Sequence, residues 1–171
     1  MRVVAGKFGG RPLKTLDGKI TRPTTDKVKG AIFNMIGPFF DGGRVLDLFS
    51  GSGSLAIEAI SRGMDEAVMV ERNRKAQAII TENIKMTKSE QQFYLMKMDA
   101  NKALGMVNGS FDLVLLDPPY AKEEIVKNIT DMEEAGLLSE DVMIVCETDK
   151  AVDLPEEISN FGHLETKNIR N

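Results

Sequence analysis

From Arg44 onward the chain alternates short apolar runs with longer segments whose apolar residues recur every three or four positions. VLDLF (45–49), EAVMVE (66–71), FYLMKMD (93–99), FDLVLLD (111–117) and DVMIVCE (141–147) predict strands. SLAIEAISRG (54–63), RKAQAIITENIKM (74–86), a short piece around 100–107 and EEIVKNITDMEEA (123–135) predict helices between them. Mostly apolar strands alternating with amphipathic helices imply a parallel sheet covered on both faces. Right-handed crossovers make that an α/β, Rossmann-like, doubly wound sheet. In such sheets ligands bind beyond the carboxyl ends of the strands, near the point where the strand order reverses.

The first forty residues have a different rhythm. RVVAGKFGGRPLKTL (2–16) predicts short extended pieces broken at Gly6, Gly9–Gly10 and Pro12, arranged as a hairpin. TRPTTDKVKGAIFNMI (21–36) predicts a helix capped by Thr24 or Thr25, with Val28, Ile32, Phe33 and Ile36 on one stripe. Residues 1–40 therefore read as a small basic extension packed on a core spanning 41–171. Charge sharpens that division. Residues 1–30 hold eight basic side chains against two acids, a net +6, and the remainder holds 14 against 24, a net −10. A basic arm on an acidic body suits phosphate contacts on one face, although a solvated lysine-rich surface has the same composition.

Bulk composition narrows the class without naming a function. With 42% hydrophobic and 28% charged residues, the chain reads as an ordinary globular protein. No apolar run approaches the roughly 18 residues of a membrane helix, and the N-terminus lacks an apolar signal core. Cys146 is the one cysteine, which excludes an internal disulfide and a cysteine-based zinc cluster. It reads as a core thiol. A cytoplasmic monomer without metal is the expectation.

The acids at the strand ends change the picture. Asp47, with FSGSG, lies at the end of the first predicted strand, Glu71 ends the second, Asp99 the third and Asp117 the fourth, so all four would point into one crevice. DLFSGSG (47–53) joins the first strand to the first helix, and Gly51 and Gly53 let that backbone turn tightly and approach a ligand. Alone, G-S-G also fits a dinucleotide loop with Ala56 as the third small residue. The acid four residues before Gly51 favours a cationic ligand, because a carboxylate beside phosphates would repel them. Glu71, 24 residues after Asp47, can accept from both hydroxyls of a ribose. Asp99 fits either an adenine amino group or a turn cap. A nucleoside with a positive centre and no phosphates is S-adenosylmethionine (SAM).

DPPY (117–120) then acquires a role. An exocyclic amine on a base is a poor nucleophile, because its lone pair is delocalised into the ring. Asp117 and the Pro118 carbonyl, each accepting an N–H, would draw that lone pair into one lobe. Pro118 and Pro119 fix the corner and bring no competing N–H. Tyr120 can stack on an extruded base, a contact worth roughly 1–3 kcal/mol. A plain diproline turn explains neither the acid nor the tyrosine.

These residues resemble a class I SAM-dependent methyltransferase. More narrowly, the chain resembles the bacterial 16S ribosomal RNA guanine-N2 methyltransferases of the RsmD type. The likeness rests on RVVAGKFGGRPL (2–13), RPTTDKVKGAIFNMI (22–36), VLDLFSGSGSLAIEAISRG (45–63) and LVLLDPPY (113–120). The two N-terminal segments are the specific part, since the glycine loop and DPPY are shared with DNA adenine methyltransferases. The resemblance implies SAM held by Asp47, Phe49, Gly51, Gly53, Glu71 and Asp99. It implies catalysis by Asp117, Pro118, Pro119 and Tyr120, with Asp117 orienting the amine rather than deprotonating it. It also implies RNA contacts from Arg2, Lys7, Arg11, Arg22, Thr24, Lys27 and Lys29, with 16S rRNA in an assembling small subunit as substrate. Two departures stand out. Lys27 and Lys29 occupy positions where the family pattern has arginine. The core also resembles a fold that closes with a late antiparallel hairpin, of which HLETKNIRN (163–171) reaches only the first strand.

Rival readings are an amino methyltransferase acting on DNA adenine or on a protein glutamine, and a non-catalytic SAM- and RNA-binding module. A DNA enzyme calls for a target-recognition domain, and a glutamine enzyme for NPPY and an N-terminal helical domain. Mere binding needs no amine clamp.

Overall fold

A computed structural model of the protein describes residues 1–16, 25–117 and 122–147. Five strands form one sheet: β1 (Arg44–Asp47), β2 (Glu66–Val70), β3 (Phe93–Met96), β4 (Phe111–Leu116) and β5 (Leu138–Cys146). Their order is β3-β2-β1-β4-β5, and every neighbouring pair runs parallel. This is the doubly wound order, with its reversal between β1 and β4. The strands are shorter than expected at β3, which stops at Met96, and longer at β5, where a register irregularity opposite Phe111 and Leu113 accommodates extra residues.

Alternation along each strand explains the layers. Val45, Ala67, Met69, Leu113 and Leu115 face one way and pack on α1 (Asp26–Ile36), α2 (Ser54–Ser61) and α3 (Arg74–Thr87). Leu46, Leu48, Val68, Val70, Val114 and Leu116 face the other way and pack on α4 (Ala100–Leu104) and α5 (Lys122–Glu134). A strand buried on both faces must be apolar at consecutive positions, as LVLL in β4 is. Three helices start at side-chain caps: Thr25 accepts from the Val28 amide, Asn73 from Ala76 and Asp99 from Lys102.

Residues 1–16 fold back on themselves. Arg2 bridges Pro12 antiparallel, the Val3 amide donates to the Arg11 carbonyl, and Leu13 donates to Met1. Val3, Phe8 and Leu13 are buried in the same core as α1 and α2. Gly6 shows why the turn is tight: its φ is +87°, and a Cβ there would collide with the Ser61 carbonyl of α2.

Beneath this packing lies a buried charge cluster. Glu58, the one charged residue of α2, has no exposed side-chain surface. It accepts from the Val4 amide at 2.9 Å, the Ala5 amide at 3.1 Å and Arg62 Nε at 2.7 Å. Lys29 Nζ lies 3.6 Å from Glu58 and donates to the Arg2 carbonyl at 2.7 Å. Burial lowers the Lys29 pKa, and the charges of Glu58 and Asp26 oppose the fall.

Candidate active site

The crevice opens at the carboxyl edge of the sheet, on either side of the β1–β4 junction. Asp47 is the last residue of β1, pairing with Met69 on β2 and Leu115 on β4. Glu71 and Asp117 immediately follow β2 and β4. Strand alternation continued past Met69 and Leu115 sets Glu71 and Asp117 on the face that Asp47 shares. Asp47 is only 3% exposed, and its Oδ2 has no hydrogen-bond partner among the described residues. Burial pushes its carboxyl up to about 7; a bond with the Ser50 side chain works against the rise, and the charges of Asp117, Glu147 and Glu71 add to it. A buried acid kept so close to neutrality, with one oxygen unanswered, suits a ligand that brings positive charge or a donor.

The loop after β1 is shaped for close approach. Gly51 has φ +58° and no described residue within 4 Å of the place its Cβ would occupy, so the backbone there borders space that the described residues leave open. Gly53 has φ +83°, and its Cβ would lie 2.6 Å from Met69 Cε. Both conformations favour glycine, and at Gly53 a side chain would also have to push aside the Met69 methyl. Glu71 ties the loop to β2: Oε1 accepts from the Gly51 amide and Oε2 from the Asn73 amide, each at 2.9 Å. Two bonds leave lone pairs on this carboxylate for the hydroxyls of a sugar. Phe49 is half-buried and packs against the α4–α5 side of the core.

Asp117 is exposed at the lip of the crevice, yet protein mass beside its carboxyl desolvates it and raises its pKa to about 6. Pro118, Pro119 and Tyr120 lie outside the described residues, as do Arg22 and Thr24. Asp99 settles on one of its two readings as far as one oxygen goes, since Oδ1 caps α4 by accepting from Lys102 at 2.8 Å.

Among the described residues of the expected RNA-binding set, Lys7, Arg11 and Lys29 lie away from the crevice. Lys29 is fully buried and engaged with Glu58, so it offers no charge to RNA; its place in the core corrects the sequence expectation. Lys7 donates to Gln92, just ahead of β3, and Arg11 donates to the carbonyls of Met86 and Thr87 at the end of α3. Both therefore sit towards the amino edge of the sheet, opposite the crevice. Arg2 is exposed, with a guanidinium bond to the Gly10 carbonyl, and Lys27 is exposed on the first turn of α1.

One crevice residue lies beyond what the sequence pattern singled out. Glu147 follows β5, its amide donates to the Leu116 carbonyl at 2.8 Å, and its charge raises the pKa of Asp47. The signal was available, because DVMIVCE ends on an acid as the other strands do.

The family described as conserved hypothetical protein 95 matches residues 1–171, the whole chain. The chain belongs to that family. A Bacillus subtilis (strain 168) relative named "Putative rRNA methyltransferase YlbH" is 45% identical over 164 residues, covering 94% of this chain and 89% of that protein. Ribosomal RNA small subunit methyltransferase D of Escherichia coli (strain K12) is 29% identical over 162 residues, covering 95% and 81%. A solved Streptococcus pyogenes structure, described as a conserved hypothetical protein, superposes with a TM-score of 0.80 at 62% identity, covering 84% of this chain and 89% of that one. The resemblance to the RsmD type and the Rossmann-like methyltransferase fold are borne out.

Proposed function

We propose that this family member is a SAM-dependent methyltransferase acting on the exocyclic N2 amine of a guanine in 16S rRNA. The observation that carries this reading is the row of acids on one face of the carboxyl edge, with the orphaned Asp47 Oδ2 at its centre and the open backbone of Gly51 beside it. The relatives' names support rRNA as the substrate.

The residues fit SAM. Glu71 would hold the ribose hydroxyls, Gly51 and Gly53 would let the backbone pass close to the nucleoside, and Asp47 would face the positive portion. Bound there, SAM supplies an electrophilic methyl group. Asp117 accepts an N–H of the target amine, which turns the nitrogen lone pair out of conjugation and towards the crevice. That carboxylate orients rather than deprotonates, since the amine becomes acidic only after it has gained the methyl group. Pro118 and Tyr120 complete the clamp in this proposal, the first through its carbonyl and the second by stacking. Of residues 1–40, the exposed Arg2 and Lys27, with Arg22 and Thr24, are the proposed RNA contacts, carried on an extension to a core over 41–171.

The test is transfer of labelled methyl from SAM to under-methylated small subunits, free 16S rRNA and duplex DNA. Label on guanine N2 of 16S rRNA is expected, with Asp117→Ala abolishing transfer while SAM binding stays nearly intact. Label on DNA adenine would overturn the substrate. Binding of SAM and RNA without any transfer by the unaltered protein would leave a binding module.

A further inference from the structure

Across the sheet the acids follow an order: Glu71 beyond β2, Asp47 on β1, Asp117 beyond β4 and Glu147 beyond β5. On the proposed function the first two hold the donor and the third holds the reacting amine. The body of the target base must then lie past Asp117, over the end of β5. Glu147 stands there. Cys146 pairs with Leu116, and the Glu147 amide continues the ladder to the Leu116 carbonyl, so Glu147 and Asp117 are next to one another on adjacent strands, about 4.8 Å apart. Val145 packs in the same core layer as Leu115, and one more alternation places Glu147 on the face that carries Asp117 and Asp47. Its electrostatic effect on Asp47 shows that its charge reaches the crevice.

A second acceptor beside the amine clamp has a defined selectivity. The Watson–Crick edge of guanine presents two adjacent donors, the N2 amine and N1–H. Adenine and cytosine present an amine beside an unprotonated ring nitrogen, which is an acceptor. Two side-by-side carboxylates match the first pattern and set like against like in the second. We propose that Glu147 accepts the N1–H of the target guanine while Asp117 accepts from its N2 amine, making Glu147 the residue that selects guanine. This rests on the proposed guanine-N2 activity and names the group that specifies it.

The test uses a base that keeps the amine and loses the N1 proton. Small subunits are reconstituted with 16S rRNA ligated to carry either guanine or 2,6-diaminopurine at the mapped target. Wild type is expected to methylate the guanine substrate with kcat/KM at least about tenfold above the diaminopurine substrate, in line with the discrimination of one well-formed base contact. Glu147→Gln, whose amide can donate to the ring nitrogen, should lose about tenfold or more on guanine and narrow or invert that ratio, with SAM affinity not weakened. A merely structural role would lower both rates together, so an unchanged ratio in Glu147→Gln overturns the proposal, as does a wild type that does not discriminate. If wild type transfers no methyl to any guanine N2, the functional reading fails first, and Glu147 loses its assigned role with it.

Discussion

Replacing Glu58 with alanine should destabilise the protein by about 3–5 kcal/mol, the range for leaving one member of a buried ion pair without its partner. The structure identifies what is left behind. Lys29 keeps a fully buried ammonium whose remaining anion, Asp26, is 3.8 Å away and 42% exposed. Arg62 loses its 2.7 Å contact, and the Val4 and Ala5 amides lose their acceptors. A fully buried unanswered amide costs about 1–3 kcal/mol alone; these two are part-buried and share one carboxylate with the cations, so their losses are smaller and overlap rather than add. For a chain of this size, about 2–4 °C per kcal/mol converts the range into a fall in melting temperature of roughly 6–20 °C. Thermal melts followed by circular dichroism, with urea midpoints alongside, measure it. A second variant separates charge from packing: Lys29→Met combined with Glu58→Gln removes both charges and should be less destabilised than the two single changes summed, by about 1 kcal/mol or more. If Glu58→Ala melts within about 2 °C of wild type, the cluster is not holding residues 1–16 and α1 to α2, and the reasoning fails.

Asp47 links stability to pH. Its folded pKa of about 7 lies above the ordinary 3.8, so between those values the native state holds the extra proton and stability falls as pH rises. Unfolding free energies from urea melts should drop from pH 5 to pH 8 by up to a few kcal/mol, since each tenfold change in proton affinity is worth about 1.4 kcal/mol, and Asp47→Asn should flatten the trend. A cationic donor prefers the ionised acid, so titration calorimetry should show SAM binding tightening from pH 6 to pH 8 in wild type and not in Asp47→Asn. Gly53→Ala forces φ +83° on a side chain and drives its Cβ to 2.6 Å from Met69 Cε, so it should cost about 1–3 kcal/mol and weaken SAM binding; unchanged affinity would count against the loop as the binding element. Lys27→Ala should leave the melting temperature alone and make RNA affinity less steep in salt by about 0.7–0.9 of a log unit per log unit, measured by filter binding at several salt concentrations.

The layered sheet was legible because burial on both faces forces a distinctive pattern, consecutive apolar residues cut off by an acid. LVLLD in β4 and VMVE in β2 carry that pattern openly, and the acid falls where the strand meets the crevice. Charges elsewhere were harder to place, for a physical reason. A lysine is read as solvated by default, and Lys29 sits in a segment full of exposed cations. Yet Ile32 and Phe33, three and four residues on, are buried, so helical spacing put Lys29 on the same face. Glu58 is the matching case, the one charged residue of SLAIEAIS, with Arg62 one turn further on as a partner already visible in the sequence. A lone charge on an apolar helix must find an opposite charge or a hydrogen-bond partner, because the cost of burying it bare is prohibitive. Two such residues of opposite sign, on helices flanking one strand, are therefore candidates for each other on sequence grounds alone. What spacing cannot supply is the crossing of α1 over α2, which decides that Lys29 meets Glu58 while Lys27, two residues away, stays in water. The same limit applies to Lys7 and Arg11. Their charge was visible, but a hairpin lying along α2 carries them to the amino edge of the sheet, so proximity in sequence to the substrate-facing segments did not become proximity in space.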